Sequence, residues 1–182
     1  MKRKHSLIIA LIAAAALLAT LACSTAPSSS TKNPNGIPSL PPGVTAIPAV
    51  GLEMTIDASS VLKLENVDQA ILDLIHSDGM MLNSSKLSTP EGSTVSDVLK
   101  NTCRLLGISL NVENGEYGSF VKGIGGISNG DFGTDSFWLL KVNGKFSDVG
   151  GDFVEIKEGD IIEWVYTCDG GSDVGYTAVT SE

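Results

Sequence analysis

Both tryptophans of the chain fall within one stretch, Phe137–Asp169 (FWLLKVNGKFSDVGGDFVEIKEGDIIEWVYTCD), and this stretch limits the folds open to the rest. Its pattern predicts three strands joined by two turns. Phe137–Val142 is a short apolar run closed by Asn143-Gly144. That dipeptide suits a two-residue hairpin because both central residues must accept positive φ. Phe153–Ile156 alternates faces and ends at a second turn, Glu158-Gly159-Asp160. Ile161–Cys168 is then largely apolar on both faces: Ile162, Trp164, Tyr166 and Cys168 share one, while Ile161, Val165 and Thr167 share the other with Glu163. A strand apolar on both faces belongs inside a sheet, so Ile161–Cys168 is expected to be the central strand.

Upstream, Leu52, Met54 and Ile56 alternate with Glu53, Thr55 and Asp57, as in a half-buried strand that Val61–Leu64 would extend. Val67, Ala70, Ile71, Leu74 and Ile75 have helical spacing, which predicts a short helix over Val67–Ile75. Met80-Met81-Leu82 reads as a brief strand. The clearest helix begins at Thr94, an N-cap with Asp97 three residues on. Val95, Val98, Leu99, Thr102, Cys103 and Leu106 make its apolar stripe, and Gly107 fits the position just past its end. Ile108, Leu110 and Val112 alternate as a strand, Asn114-Gly115 reads as a turn, and Tyr117–Ile127 as a strand broken by Gly123, Gly125 and Gly126. Strands on either side of one main helix give a two-layer α+β domain.

Four segments, EGSTVSDVLK (Glu91–Lys100), YGSFVKGIGGI (Tyr117–Ile127), FWLLKVNG (Phe137–Gly144) and GDIIEWVYTCD (Gly159–Asp169), resemble the transcobalamin-like C-terminal domain. That domain occurs alone in bacterial surface proteins and as the β domain of the vitamin B12 carriers. The resemblance covers about Leu52–Gly175 and implies a β-grasp fold, a mixed sheet with one main packing helix. In the carriers the matching strands cover one face of a corrin ring. By position, the resemblance implicates Phe120, Lys122, Ile124, Trp138, Leu140 and Asn143 as ligand-binding residues, with a corrinoid as the implied ligand. The carriers close their site with a helical barrel, and this chain has none, so half a site is expected. A β-grasp helix also packs across its sheet, which would let Cys103 meet Cys168. Outside the cytoplasm such a pair is expected as a disulfide.

The first residues read as an address. Met1-Lys2-Arg3-Lys4 is a charged start, Leu7–Leu18 an apolar core, and Thr20-Leu21-Ala22-Cys23 resembles a bacterial lipoprotein cleavage site. The division expected is therefore a signal peptide over 1–22, a Ser/Thr/Pro-rich flexible tether over 23–50 and the β-grasp domain over 51–182. The alternative is an ordinary secretory peptide cut near Ala22 or after Ala26. Acyl chains on Cys23 would anchor the protein at about 0.8 kcal/mol per buried methylene. The apolar run is shorter than the roughly 20 residues that span a bilayer. The expected location is the cell membrane or surface, outside the cytoplasm.

Charge and composition narrow the function. The formal net charge is −9, and loss of 1–22 takes away Lys2, Arg3 and Lys4 but no acid, leaving −12. Such a surface repels phosphate backbones, which argues against nucleic acid as a partner. His5 leaves with the address, so His76 alone remains, and a histidine-based zinc or nucleophile–histidine centre has too few parts. The carboxylates Asp160, Asp169 and Asp173 lack the spacing of a calcium loop and read as solvated. Gly123–Gly126 precedes no helix and is no phosphate cradle. No metal site, cofactor or catalytic set is therefore expected. The expected role is binding, of a small molecule or of a surface protein or glycan, and not catalysis. Phe137 and Trp138 are adjacent and cannot both face the core. Trp138 is expected to be the uncovered one, beside Asn143-Gly144; the reverse assignment stays open.

If Cys23 carries the anchor, Cys23→Ser leaves the protein unprocessed or released from the membrane fraction. Fractionation with intact mass measurement checks this, and unchanged partition with unchanged mass contradicts it.

Overall fold

A computed structural model describes residues 47–115 and 118–176. The signal peptide and Cys23, the tether up to residue 46, and Tyr117 lie outside the described residues. No helix among the described residues is long and apolar enough to cross a membrane.

The chain opens with a hairpin of unequal visibility. Ala49–Asp57 (β1) alternates as its sequence dictates, with Leu52, Met54 and Ile56 buried. It pairs antiparallel with Met80–Pro90 (β2), from Ala49 opposite Pro90 to Asp57 opposite Met80. Between them stand a 3-10 turn at Ser59–Lys63 and a helix (α1) of only Gln69–Leu72. The expected helix over Val67–Ile75 is thus shorter. Asp68 starts it by accepting the Ala70 N–H, and Asp73 already closes it. Val61–Leu64 does not extend β1, because the chain turns at Asp57, whose carboxylate accepts the Ser59 N–H.

Val95–Leu106 (α2) begins in a full capping box: Asp97 N–H donates to Thr94 Oγ1 at 3.2 Å, and Thr94 N–H donates to Asp97 Oδ2 at 3.0 Å. Val95, Val98, Leu99, Thr102 and Cys103 are buried as expected, while Leu106 is exposed. Three strands then form a small sheet in chain order: Leu110–Gly115 (β3), Gly118–Ile124 (β4) and Ile127–Ser128 (β5). Asn114 and Gly115 belong to β3, paired with Ser119 and Gly118. Phe137–Val142 (β6) and Lys145–Phe146 (β7) form the expected hairpin, with Asn143 at φ 52° and Gly144 at φ 76°. Phe153–Ile156 is not a strand. Gly151–Phe153 is a 3-10 turn, and only Glu155 bridges back, to Thr94.

Asp160–Thr167 (β8) completes a five-stranded sheet in the order β2-β1-β8-β6-β7. It runs parallel to β1 and antiparallel to β6, and so takes the central place expected. An opening hairpin, a crossing helix and a last strand returning parallel beside the first make this an α+β fold of β-grasp plan. The small sheet is inserted between α2 and β6. Met54, Ile56, Ile162, Trp164, Tyr166, Trp138 and Leu140 from the large sheet form one buried cluster with the stripe of α2 and with Val121, Ile124 and Ile127 of the small sheet.

The other face of β8 is covered at one end only. Ile161 is 46% exposed, whereas Val165 and Thr167 are enclosed. The segment after β8 folds back there: Asp173 accepts from Thr167 Oγ1 and from the Cys168 N–H, and Lys141 Nζ reaches the Val174 carbonyl at 3.4 Å.

Trp138 corrects the parity expectation, since it is 4% exposed and Phe137 only half-buried. The small sheet supplies the cover that the sequence reading did not place above the hairpin. Trp138 Nε1–H donates to the Ile127 carbonyl at 2.9 Å, and its ring meets Tyr166 edge-on at 5.1 Å between centroids. Trp138→Ala is therefore expected to destabilise the domain by about 3–5 kcal/mol, as for other buried aromatic truncations. Urea unfolding measures it, and a loss below about 1 kcal/mol would contradict this packing.

Candidate functional site

The small sheet and the large one diverge beside β6, and the gap is a groove of about 450 Å³. Its walls are local consequences of three sequence features. Trp138 and Leu140 are the core-facing positions of β6, set opposite Tyr166 and Trp164 of β8. Leu140 and Trp164 thus continue the apolar layer out to the groove, where both belong to the lining. From the other side β4 contributes Phe120 and Val121. The loop Ser147–Gly151 closes the third side, with Val149 among its lining residues.

A bulge decides what β4 presents. Asn111 pairs with Gly123 and Val112 with Val121, so Lys122 is an extra residue with no partner across the ladder. The bulge lets Val121 and Ile124 both turn inward, although they differ in parity. Phe120 stays 54% exposed at the groove, and Lys122 lies beside it with Nζ 5.3 Å from the ring centroid. The Lys122 ammonium also pairs with Glu113 at 3.0 Å.

Of the residues the resemblance implicated, Phe120, Trp138 and Leu140 therefore meet at the groove. Lys122 sits next to Phe120 but outside the lining. Ile124 is fully enclosed in the core. Asn143 shapes the hairpin instead of reaching the groove. Its Nδ2 donates to Asp160 Oδ1 and its Oδ1 accepts the Ile161 N–H, both at 2.9 Å. Sequence reasoning missed Val121, Trp164 and the Ser147–Gly151 loop. Trp164 reads as plain core, and only Val149, an apolar residue in a glycine-rich connection, hinted that the loop had something to cover.

Asp152 fixes that loop to the rest. Its carboxylate accepts the Ser119 N–H at the start of β4, and Lys100 of α2 stands 3.7 Å away. Hydrogen bonding from Ser119 is the largest influence holding this carboxyl below its ordinary 3.8, helped by the Ser96 hydroxyl and the Lys100 charge against the opposing effect of burial. Gly118 belongs to the same clamp. Its φ is +91°, and a Cβ there would lie 2.7 Å from the Phe153 ring, so only glycine fits.

The expected disulfide is not formed: Cys103 and Cys168 are both free thiols. Cys103 is buried on α2 and burial pushes it up to about 11. Cys168, at the end of β8, has its sulfur 3.6 Å from Ser60 Oγ, so the 3-10 turn after β1 occupies the place expected for the helix cysteine. His76 is exposed at the turn before β2. Asp160 and Asp173 serve as hydrogen-bond acceptors for neighbouring backbone. No group of three His, Cys, Asp or Glu among the described residues could hold a metal ion. A second hollow of about 440 Å³ lies between Leu64–Asp68, Ile71 and Asp131-Phe132. It is more polar, carries three carboxylates and is lined by none of the implicated residues.

Residues 92–168 match a family model described as a domain of unknown function, DUF4430. No curated protein matches the chain. Among solved structures, haptocorrin in complex with Cbi is similar at 12% identity and a TM-score of 0.49. The match covers 69% of this chain and 26% of the haptocorrin chain, so this chain spans about a quarter of that protein. A protein from Ruminococcus gnavus, described there as a candidate metal binding protein, is similar at 17% identity and a TM-score of 0.42, covering 65% of this chain and 96% of that one.

Asp152 generates a pH prediction with a definite sign. Its pKa is lower in the folded state, so its stabilisation is complete above about 3.8 and is lost as pH falls through the lowered value. Asp152→Ala is expected to cost about 1–2 kcal/mol at neutral pH, in the range for hydrogen bonds to a charged group that keeps some contact with water. The variant should also lose less stability than the parent on going from pH 5 to about pH 3. Urea titrations at both pH values check this, and parallel pH profiles would contradict it.

Proposed function

We propose that this is a lipid-anchored, extracytoplasmic binding module, without catalytic activity, whose β-grasp domain takes a small and largely apolar molecule into the groove between β4 and β6. The observation that carries the proposal is the groove itself. Its volume of about 450 Å³ falls within the roughly 300–1,000 Å³ of small-molecule sites. Two tryptophans, two leucines and two valines line it, together with the exposed ring of Phe120. A concave aromatic site of this kind favours a ligand over a flat protein contact, and the net charge of −9 disfavours polyanions.

The resemblance to the transcobalamin-like domain makes a corrinoid the first ligand to test. A corrin macrocycle presents more surface than this groove encloses, so it would lie across the mouth on Phe120 with only an edge or side chain inside. A second reading, docking of a surface protein or glycan over the same mouth, is favoured by Phe153. That ring is 61% exposed, packs beside Gly118 and lies outside the lining.

Thermal-shift and absorbance titrations of the purified protein with corrinoids test the ligand reading. Binding should raise the melting temperature by mass action. Phe120→Ala should weaken it about three- to tenfold while leaving the unliganded melting temperature unchanged, since this ring is half in solvent and an aromatic contact contributes about 0.5–1.5 kcal/mol. Absence of any shift removes the corrinoid reading; binding indifferent to Phe120→Ala moves the site elsewhere.

A further inference from the structure

The chain has two tryptophans, both on the buried face of the large sheet and both in the lining of the groove. Their indole nitrogens are treated differently. Trp138 Nε1–H is satisfied by the Ile127 carbonyl at 2.9 Å. The neighbouring Tyr166 hydroxyl is likewise satisfied, by the Ser128 carbonyl at 2.6 Å. Trp164 is 5% exposed, and its Nε1 is the one buried side-chain nitrogen or oxygen without a hydrogen-bond partner among the described residues.

Buried donors are nearly always paired, and an unpaired one costs stability that an apolar ring of similar size would avoid. At this position the sheet asks only for bulk: Trp164 stands between Ile56 of β1 and Leu140 of β6. Trp164, which carries the unpaired donor, also belongs to the lining of the groove.

We infer that the groove selects molecules which bring a hydrogen-bond acceptor to the Trp164 indole N–H, namely neutral, largely apolar compounds carrying a carbonyl or amide oxygen. This rests on the small-molecule reading above and narrows it. The indole can only donate, so an ammonium or other donor-only group gains nothing. A carboxylate is disfavoured by Asp148, which belongs to the lining, and by the negative chain as a whole. A neutral oxygen on an apolar body satisfies the donor and fills the aromatic walls together. A hydrocarbon of the same shape fills the walls and leaves the donor as it was. The discrimination is thus one hydrogen bond deep, and a site built to donate to a ligand rejects the analogue that lacks the acceptor.

The test uses two probes of one bicyclic shape, tetralin and 1-tetralone, which differ by a carbonyl. In the ¹H–¹⁵N spectrum of the full chain only two indole resonances are expected, and that of Trp138 serves as an internal report on the fold. Addition of 1-tetralone should move the Trp164 indole proton downfield, and its Kd should be about five- to tenfold lower than that of tetralin, as one added hydrogen bond allows. In Trp164→Phe the ratio of the two Kd values should fall to about one, whatever happens to each. Equal binding of both probes to the native protein, with no downfield movement, overturns the inference and leaves the groove standing as a site. Binding of neither probe overturns the groove reading and the inference with it. If Trp164→Phe fails to fold, the two probes and the resonance shift on the native protein still decide.

Discussion

The parallel pairing of β1 with β8 is the constraint on which this fold depends. Two parallel neighbours cannot be joined by a tight turn, so the chain from Asp57 to Asp160 must make a long crossover before it returns beside β1. The route includes the packing helix, the small sheet and the β6–β7 hairpin before β8 slots between β1 and β6. Met54 beside Ile162 and Ile56 beside Trp164 are the contacts that close it. Each is a local apolar alternation until the last strand arrives, and only then does either strand have a buried face.

That dependence explains which parts were legible in the sequence. β8 was readable because a central strand needs apolar residues on both sides. The Asn143-Gly144 hairpin and the Thr94/Asp97 capping box were readable because their chemistry is local. β2 was visible only as Met80-Met81-Leu82, since an edge strand carries polar residues such as Asn83, Ser84, Ser85 and Lys86 without penalty, and nothing in its own pattern separates it from a loop. Phe153–Ile156 alternates like a strand but turns after Phe153, where Asp152 and Gly151 are held against β4 and α2. Its pairing is confined to the one bridge of Glu155 with Thr94.

The site was half legible for the same reason. Phe120, Trp138 and Leu140 follow from a resemblance that runs through strand positions. Trp138 was expected uncovered because its cover, the Ile127 carbonyl and the Tyr166 ring, comes from elements eleven residues away and more. The free thiols have a similar origin: helix and sheet do face one another, but the end of β8 carrying Cys168 is taken by the turn at Ser60. What makes a groove out of these parts is tertiary, namely a loop held by one carboxylate to two other elements.

The extra residue in β4 has a consequence of its own. In a strand, facing is a matter of counting, and Lys122 shifts the count by one between Val121 and Ile124. Loss of that single codon would leave Val121 and Ile124 two positions apart, so regular alternation would keep both inside, while the bend that the bulge gives the groove edge and the lysine beside Phe120 would go. The apolar residues along β4 would be untouched. Shape at this site is therefore open to revision by a change in length alone, a route by which one scaffold can acquire or discard a binding surface in a single genetic event while its hydrophobic interior keeps the same inventory.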